Sequence, residues 1–342
     1  MTLVTPNLDK LYYGNYGGCF IADAFTVVCD SLYEEYQRVT VQPKFLTQCR
    51  ELAARYSPVN IQVEGKAMLG KDIKLHQATF NPYPIIGHAL MAKEIGRQRV
   101  LFAPRHTEEA IFCAKLCASL NLQLKMNLPT SLRCIQTFTQ LLEAMGVELE
   151  TKLCETFDLP EMYSFQEWLA APDKSYCVFS RSNVGPFPMP LMTTAFAAPY
   201  GTALKEKAGI PKAIVVPCIS GSTALTVLKP WFGQGIKLYT VEIEDPDMWE
   251  ELDSFCGAFT KVMRNRTQDR VLAPELANAW DEGTVERVYI TKGQAIEALK
   301  QVLNQEGSAD LSIESAAALY HAAQLEGDVL VVCGPQRMGA AR

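Results

Sequence analysis

Two stretches of this chain carry residue types that bind anions at the ends of β-strands. Pro217-Cys218-Ile219-Ser220-Gly221-Ser222-Thr223-Ala224 follows an apolar run and opens a helical pattern. Free backbone N–H groups at such a helix start, joined by the hydroxyls of Ser220, Ser222 and Thr223, suit a phosphate or another anion. The same residues also make an ordinary strand-to-helix turn with a hydroxyl cap. Arg105-His106 stands in the same position after another apolar run. There Arg105 suits an anion and His106 suits acid–base work, at the edge where open α/β sheets bind ligands. A solvated loop with His106 capping the helix is the plainer reading. Cys113 and Cys117 lie one helical turn apart, but no further ligand stands at a metal-site spacing, and they read as buried thiols. His76, His88 and His321 are isolated, and core or surface roles are expected for them. Glu314 opens a late helix, as a dipole partner or as a pocket acid. No G-x-S-x-G, P-loop or H-E-x-x-H motif occurs.

Positioning these residues falls to an alternation of helices and strands. Helical periods run over 85–95, 107–120, 131–145, 223–232, 291–304 and 312–325. Short apolar strands are expected at 99–103, 122–126, 147–150, 213–216, 236–242 and 328–333. Gly96, Asn121, Gly146 and Gly209 punctuate the passage from helix to strand, as C-caps do. Thr291 and Gln294 form a T-x-x-Q capping box. Repeated helix, cap and apolar strand predict an α/β fold with parallel sheets and crossover helices. Residues 245–283 show no clear period, no internal repeat is visible, and Gly185-Pro186-Phe187-Pro188-Met189-Pro190 reads as a rigid connector between lobes.

Composition narrows the function. The chain has 342 residues, is 48% hydrophobic and 20% charged, and so has the apolar content of a core-forming protein rather than a disordered one. A net charge of −6 argues against a nucleic-acid partner. No apolar run is long enough for a membrane span. Eleven cysteines at scattered spacing and a Met1-Thr2-Leu3-Val4 start without a leader pattern lead to the expectation of reduced thiols in the cytoplasm.

Several segments then resemble one family. Tyr13-Gly14-Asn15-Tyr16-Gly17-Gly18-Cys19-Phe20 is similar to the Y-F-G-x-F-G-G-x-Y opening of the tryptophan synthase β subunit. The run from Ile86 to Gly96 resembles that family's L-G-Q-A-L-L-A-K-x-x-G. Cys117-Ala118-Ser119-Leu120 also fits, and Glu143-Ala144-Met145-Gly146-Val147-Glu148 resembles R-L-M-G-A-E-V. Gly185 to Pro190 resembles G-P-H-P-Y-P, and Gln305-Glu306-Gly307, Glu314-Ser315 and Val329 to Val332 fit the C-terminal part. The resemblance covers nearly the whole chain and implies a two-lobed scaffold of the fold-type-II pyridoxal-phosphate (PLP) enzymes. The lobes expected from it are 1–47 with 81–195 and 48–80 with 196–342.

At the family's chemical stations this chain departs. The family holds PLP as an imine on the lysine of H-K-x-N-x-x-L-G. The ungapped match from Gly87 places Asn81 there, with Tyr83 nearby, and a carboxamide forms no imine. Ala103 stands where E-T-G-A-G-Q-H supplies a catalytic glutamate. Ser220-Gly221-Ser222-Thr223-Ala224 stands where G-G-G-S-N binds the phosphate. Pro335 replaces the serine that faces the ring nitrogen, and only Glu314 keeps a counterpart near the ring. From these departures no PLP is expected, and the chain reads as a pseudoenzyme that binds a small ligand, a peptide or a partner enzyme; with no ligand set at a metal-site spacing, no metal is expected. The alternative is a repurposed PLP-independent enzyme acting through Arg105, His106 and Asn81. Family members dimerise and dock an α subunit; with the apolar segment Cys19 to Val28, that implies a homodimer.

Overall fold

The computed structural model describes residues 12–13, 16–17, 23–57, 59–78, 80–150, 158–181, 187–218, 221–244, 273–304 and 311–334. The chain forms two compact units. Unit 1 holds 1–17, 60–79 and 198–342, and unit 2 holds 18–59 and 80–197. The lobe boundaries expected from the resemblance differ from these units mainly in the first 17 residues and in 48–59.

Unit 2 is built on four parallel strands: β5 (Arg99–Phe102), β6 (Gln123–Met126), β7 (Glu148–Leu149) and β8 (Ser175–Val178). Their order is β7-β6-β5-β8. Around them lie α1 (Asp23–Thr40), α2 (Pro43–Tyr56), α3 (Tyr83–Glu94), α4 (Thr107–Leu120), α5 (Thr130–Arg133), α6 (Gln136–Ala144) and α7 (Asp158–Ala170). Helix α3 is buried from Pro84 to Ala92, which follows from a sequence apolar on every side. A Cβ at Gly87 would overlap the Phe196 ring, so the close packing there depends on the missing side chain.

Unit 1 holds a short antiparallel pair, β1 (Tyr12–Tyr13) with β2 (Tyr16–Gly17), and a six-stranded sheet in the order β11-β10-β9-β12-β4-β3. The strands of the sheet are β3 (Glu64–Met68), β4 (Lys71–Gln77), β9 (Ala213–Pro217), β10 (Lys237–Glu244), β11 (Glu286–Thr291) and β12 (Val329–Cys333). All neighbours pair in parallel except β3 with β4. Central strands buried on both faces read as continuous apolar runs, and β12, Val-Leu-Val-Val-Cys, is buried throughout. Helices α9 (Ser222–Leu228), α10 (Pro274–Asp281), α11 (Lys292–Leu303) and α12 (Ile313–Gln324) complete the unit.

The helix expected over 131–145 is divided, because the backbone of Ile135 leaves the helical path between α5 and α6. The last turn of the helix expected to Phe232 tightens into a 3₁₀ turn, Lys229–Trp231, with Pro230 inside it. Helix α8 (Met189–Ala208) runs through Pro199, and the division between the units falls inside it. The sequence has no internal repeat, yet the topology has one. In unit 2 the chain adds β5, β6 and β7 in one direction and then places β8 on the other side of β5. In unit 1 it adds β9, β10 and β11, then places β12 on the other side of β9. Each sheet therefore has a switch point, between β5 and β8 and between β9 and β12, where strand order reverses and a crevice opens at the carboxyl ends.

Candidate functional site

The sequence-predicted stretches fall on these two switch points. Ala103, Arg105 and His106 follow β5, and Gly221 to Thr223 follow β9. Asn81, Ala103, Arg105 and His106 belong to unit 2, while Gly221, Ser222, Thr223 and Glu314 belong to unit 1. Ser220 and Pro335 lie outside the described residues.

In unit 2 the loop after β5 is held by its own residues. Ala103 is buried, and its methyl group offers no proton. The Arg105 backbone N–H donates to Glu109 Oε2 at 2.9 Å, so a first-turn carboxylate of α4 folds back onto the loop. His106 takes an extended conformation before α4, is exposed, and makes no side-chain cap. His106 therefore holds the expected N-cap position through its backbone alone, and Glu109 ties down the loop.

Arg105 meets a residue that the periodicity did not mark. Its Nη2 lies 3.9 Å from Glu161 Oε2, and Glu161 Oε1 pairs with Arg181 Nη2. Glu161 sits in the first turn of α7, the crossover helix before β8, so the helix start lies over the carboxyl ends of the strands. Arg181 follows the end of β8, on the other side of the switch point from Arg105. Side-chain exposure is 28% for Arg105, 10% for Glu161 and 14% for Arg181. One turn along α7, Ser164 accepts from Asn127 Nδ2 at 2.7 Å, and Asn127 follows β6. Arg181 Nε and Asn127 Oδ1 are buried without a hydrogen-bond partner. Sequence reading missed Arg181, Glu161 and Asn127. The signal available for the first was its position just beyond a β-strand, the same one that marked Arg105.

Asn81 is half-buried, and its Oδ1 accepts from the Tyr83 backbone N–H at 3.1 Å. It acts as an Asx turn that starts α3. Lys71 and Lys74, the nearest lysines before it, are engaged before the start of β12. Lys74 Nζ is 2.8 Å from Asp328 Oδ2, and Lys71 Nζ donates to the Leu325 carbonyl.

In unit 1, Gly221 has φ +79°, and a Cβ there would lie 2.8 Å from Leu276 Cδ2 on α10. Its glycine is therefore required by backbone conformation and packing together. Ser222 is half-buried and Thr223 exposed at the start of α9. Glu314 lies half-buried in the first turn of α12, whose N-cap is Ser312 accepting from the Ser315 N–H.

The isolated histidines are core groups in two cases. His88 is fully buried, with Nδ1 2.9 Å from Tyr176 Oη and Nε2 2.9 Å from Thr193 Oγ1. Burial brings its pKa down to about 3. His76 lies between the Gln62 carbonyl at 2.7 Å and Tyr200 Oη at 2.9 Å, and burial lowers its pKa also. Cys113 and Cys117 are buried with their sulfurs 3.9 Å apart. Among the described residues no group of three or more His, Cys, Asp or Glu side chains is arranged to hold a metal ion.

Two parallel-dominated sheets with flanking helices, each with a switch point, define the fold of the fold-type-II PLP enzymes. Solved structures that share it include threonine deaminase isoform 2 from Solanum lycopersicum, with a TM-score of 0.53 and 15% identity over 100% of this chain and 92% of that one. A pyridoxal 5'-phosphate-dependent aspartate racemase has a TM-score of 0.57 and 13% identity over 86% and 96%. Serine racemase from Dictyostelium discoideum has a TM-score of 0.55 and 13% identity over 86% and 98%. By sequence the chain is similar to tryptophan synthase β chains. It is 24% identical to that of Polaromonas naphthalenivorans over 92% of this chain and 82% of the relative. It is 22% identical to β chain 1 of Methanosarcina acetivorans over 90% and 88%. No family model matches the chain. These likenesses overturn the expectation of a chain without PLP. They run along the whole scaffold, one neighbour is PLP-dependent by its own description, and none of them points to a lost cofactor. A helix long and apolar enough to cross a membrane is absent among the described residues.

Proposed function

We propose that this chain is a binding protein on a tryptophan synthase β-like scaffold, and that Arg105 anchors a small anionic ligand at the carboxyl edge of the unit 2 sheet. The observation that carries this reading is the cluster of the buried Glu161 with the half-buried Arg105 and Arg181 at the β5/β8 switch point. Buried charges at such an edge are costly to hold and are retained at sites that use them. PLP is a candidate occupant of the scaffold. Asn81 offers it no amine, so covalent attachment does not fit that position, and no chemical step is assigned to it. Ala103 favours binding over β-replacement, since a methyl group transfers no proton.

A second reading, a repurposed enzyme using Arg105, His106 and Asn81, is favoured by the exposed His106 ring beside Arg105. A homodimer, a cytoplasmic setting with reduced thiols, and a partner enzyme or peptide belong to the same proposal. The test is calorimetric titration with a panel of small carboxylates and phosphate esters, beside an assay of tryptophan formation from serine and indole with PLP supplied. Binding lost on Arg105→Ala, with no product formed, is the expected result. Product from the unmodified chain overturns the reading, and turnover of another substrate lost on Arg105→Ala with His106→Ala favours the second one.

A further inference from the structure

Within the ion cluster, the pairing of Arg181 is incomplete. Glu161 reaches it end-on, through Nη2, while Arg181 Nε is buried without a hydrogen-bond partner. A guanidinium binds a carboxylate best side-on, with Nε and Nη2 each donating to one oxygen. Glu161 is tethered to the first turn of α7, and its other oxygen is turned toward Arg105. The tether therefore leaves Arg181 Nε unsatisfied, and an unmet buried donor is costly. A free carboxylate has no tether and can satisfy both donors.

We propose that Arg181 is the carboxylate-recognition residue of this site and that Glu161 is a resident carboxylate which the ligand's own carboxylate displaces from it. The inference rests on the binding role proposed above and adds the ligand's chemical class and the residue that reads it. Exchange of one carboxylate for another never leaves the buried guanidinium without its counter-charge, so the cost of an unpaired buried ion is avoided. It also selects by shape. The planar two-oxygen carboxylate matches the guanidinium fork, and a neutral ligand cannot replace the departing charge. Ser164 lies one turn along α7 from Glu161 and accepts from Asn127, which follows β6.

The experiment uses acetate as the probe and the full chain as the protein. Binding is read from the line width of carboxyl-labelled acetate in carbon NMR and from calorimetry at constant ionic strength, with sulfate and inorganic phosphate in parallel arms. The wild type should broaden the acetate signal. Glu161→Gln removes the competing charge and should tighten acetate by roughly tenfold or more, the scale of one charge-assisted pair. Arg181→Met should abolish the response, and Arg181→Lys should not restore it, because an ammonium lacks the fork. Circular dichroism identifies any variant that fails to fold, and the wild-type competition among acetate, sulfate and phosphate still decides the matter. Acetate binding that survives Arg181→Met, is unchanged by Glu161→Gln, or is outcompeted by sulfate or phosphate overturns the inference. Ligand binding by the wild type that is indifferent to Arg105→Ala, yet lost in Arg181→Met, overturns the anchoring role of Arg105 and leaves this inference standing.

Discussion

Lowering the pH from 7 to 5 should destabilise unit 2 through one side chain, His88. The imidazole is fully buried among Tyr176, Phe179, Thr193 and Phe196, and both ring nitrogens are occupied by hydroxyl groups. Burial disfavours the charged ring and moves its pKa from 6.5 to about 3. The unfolded chain takes up a proton near pH 6.5, and the folded chain does not. Stability from this group is therefore fully present above pH 6.5 and falls as the pH drops toward 3. Each unit in that window is worth about 1.4 kcal/mol, so pH 5 costs about 2 kcal/mol. That is a sizeable part of a stability of roughly 5–15 kcal/mol. The assay is urea unfolding at pH 7 and pH 5 of the wild type and of His88→Gln, which keeps hydrogen-bonding groups but does not titrate. The variant should be weaker at pH 7 by about 1–3 kcal/mol, the cost of imperfectly met buried groups. The gap should narrow by about 2 kcal/mol at pH 5. His76, whose pKa burial also lowers, contributes equally to both proteins and cancels in the difference. Parallel pH dependence in the two proteins would refute the argument.

Four further outcomes are expected. A Cβ at Gly201 would overlap the Thr226 carbonyl oxygen on α9, so Gly201→Ala should destabilise by about 2 kcal/mol or more. Gly293→Ala, at the second position of α11 where a Cβ meets nothing, should instead stabilise by up to about 0.5 kcal/mol in the same urea unfolding. Thr291→Ala breaks the capping box with Gln294 and should cost about 1 kcal/mol, read from the denaturation midpoint. In a native thiol titration, Cys134→Ser should remove one fast-reacting thiol. Cys134 is exposed, whereas burial pushes the Cys49 and Cys333 thiols up to about 12; an unchanged fast count would contradict this.

Local chemistry was enough to predict much of the scaffold. Thr107–Leu120 forms a helix over the range its period marks, ended by Asn121 in the left-handed conformation. Thr291 and Gln294 make the predicted box, and the apolar runs before Cys218 and Gly334 become buried parallel strands. Each of these depends on neighbours within a turn or on an apolar run between punctuating residues, and such information is written consecutively. The family resemblance rests on the same kind of short, continuous segments. Other features needed the folded chain. Lys71 to Gln77 alternates too weakly to announce a strand, yet β4 forms because β12 and β3 flank it. Helix α8 continues past Pro199, where local propensity argues for a stop. At the candidate site, Arg105 was visible because it follows a marked strand. Its association with Glu161 and Arg181 was hidden, because strand order brings the ends of β5 and β8 together and the crossover helix sets a carboxylate over them. A one-dimensional pattern records what each residue prefers beside its sequence neighbours. Charges joined across 56 and 20 positions meet only when the sheet reverses its order, and that reversal is a property of packing.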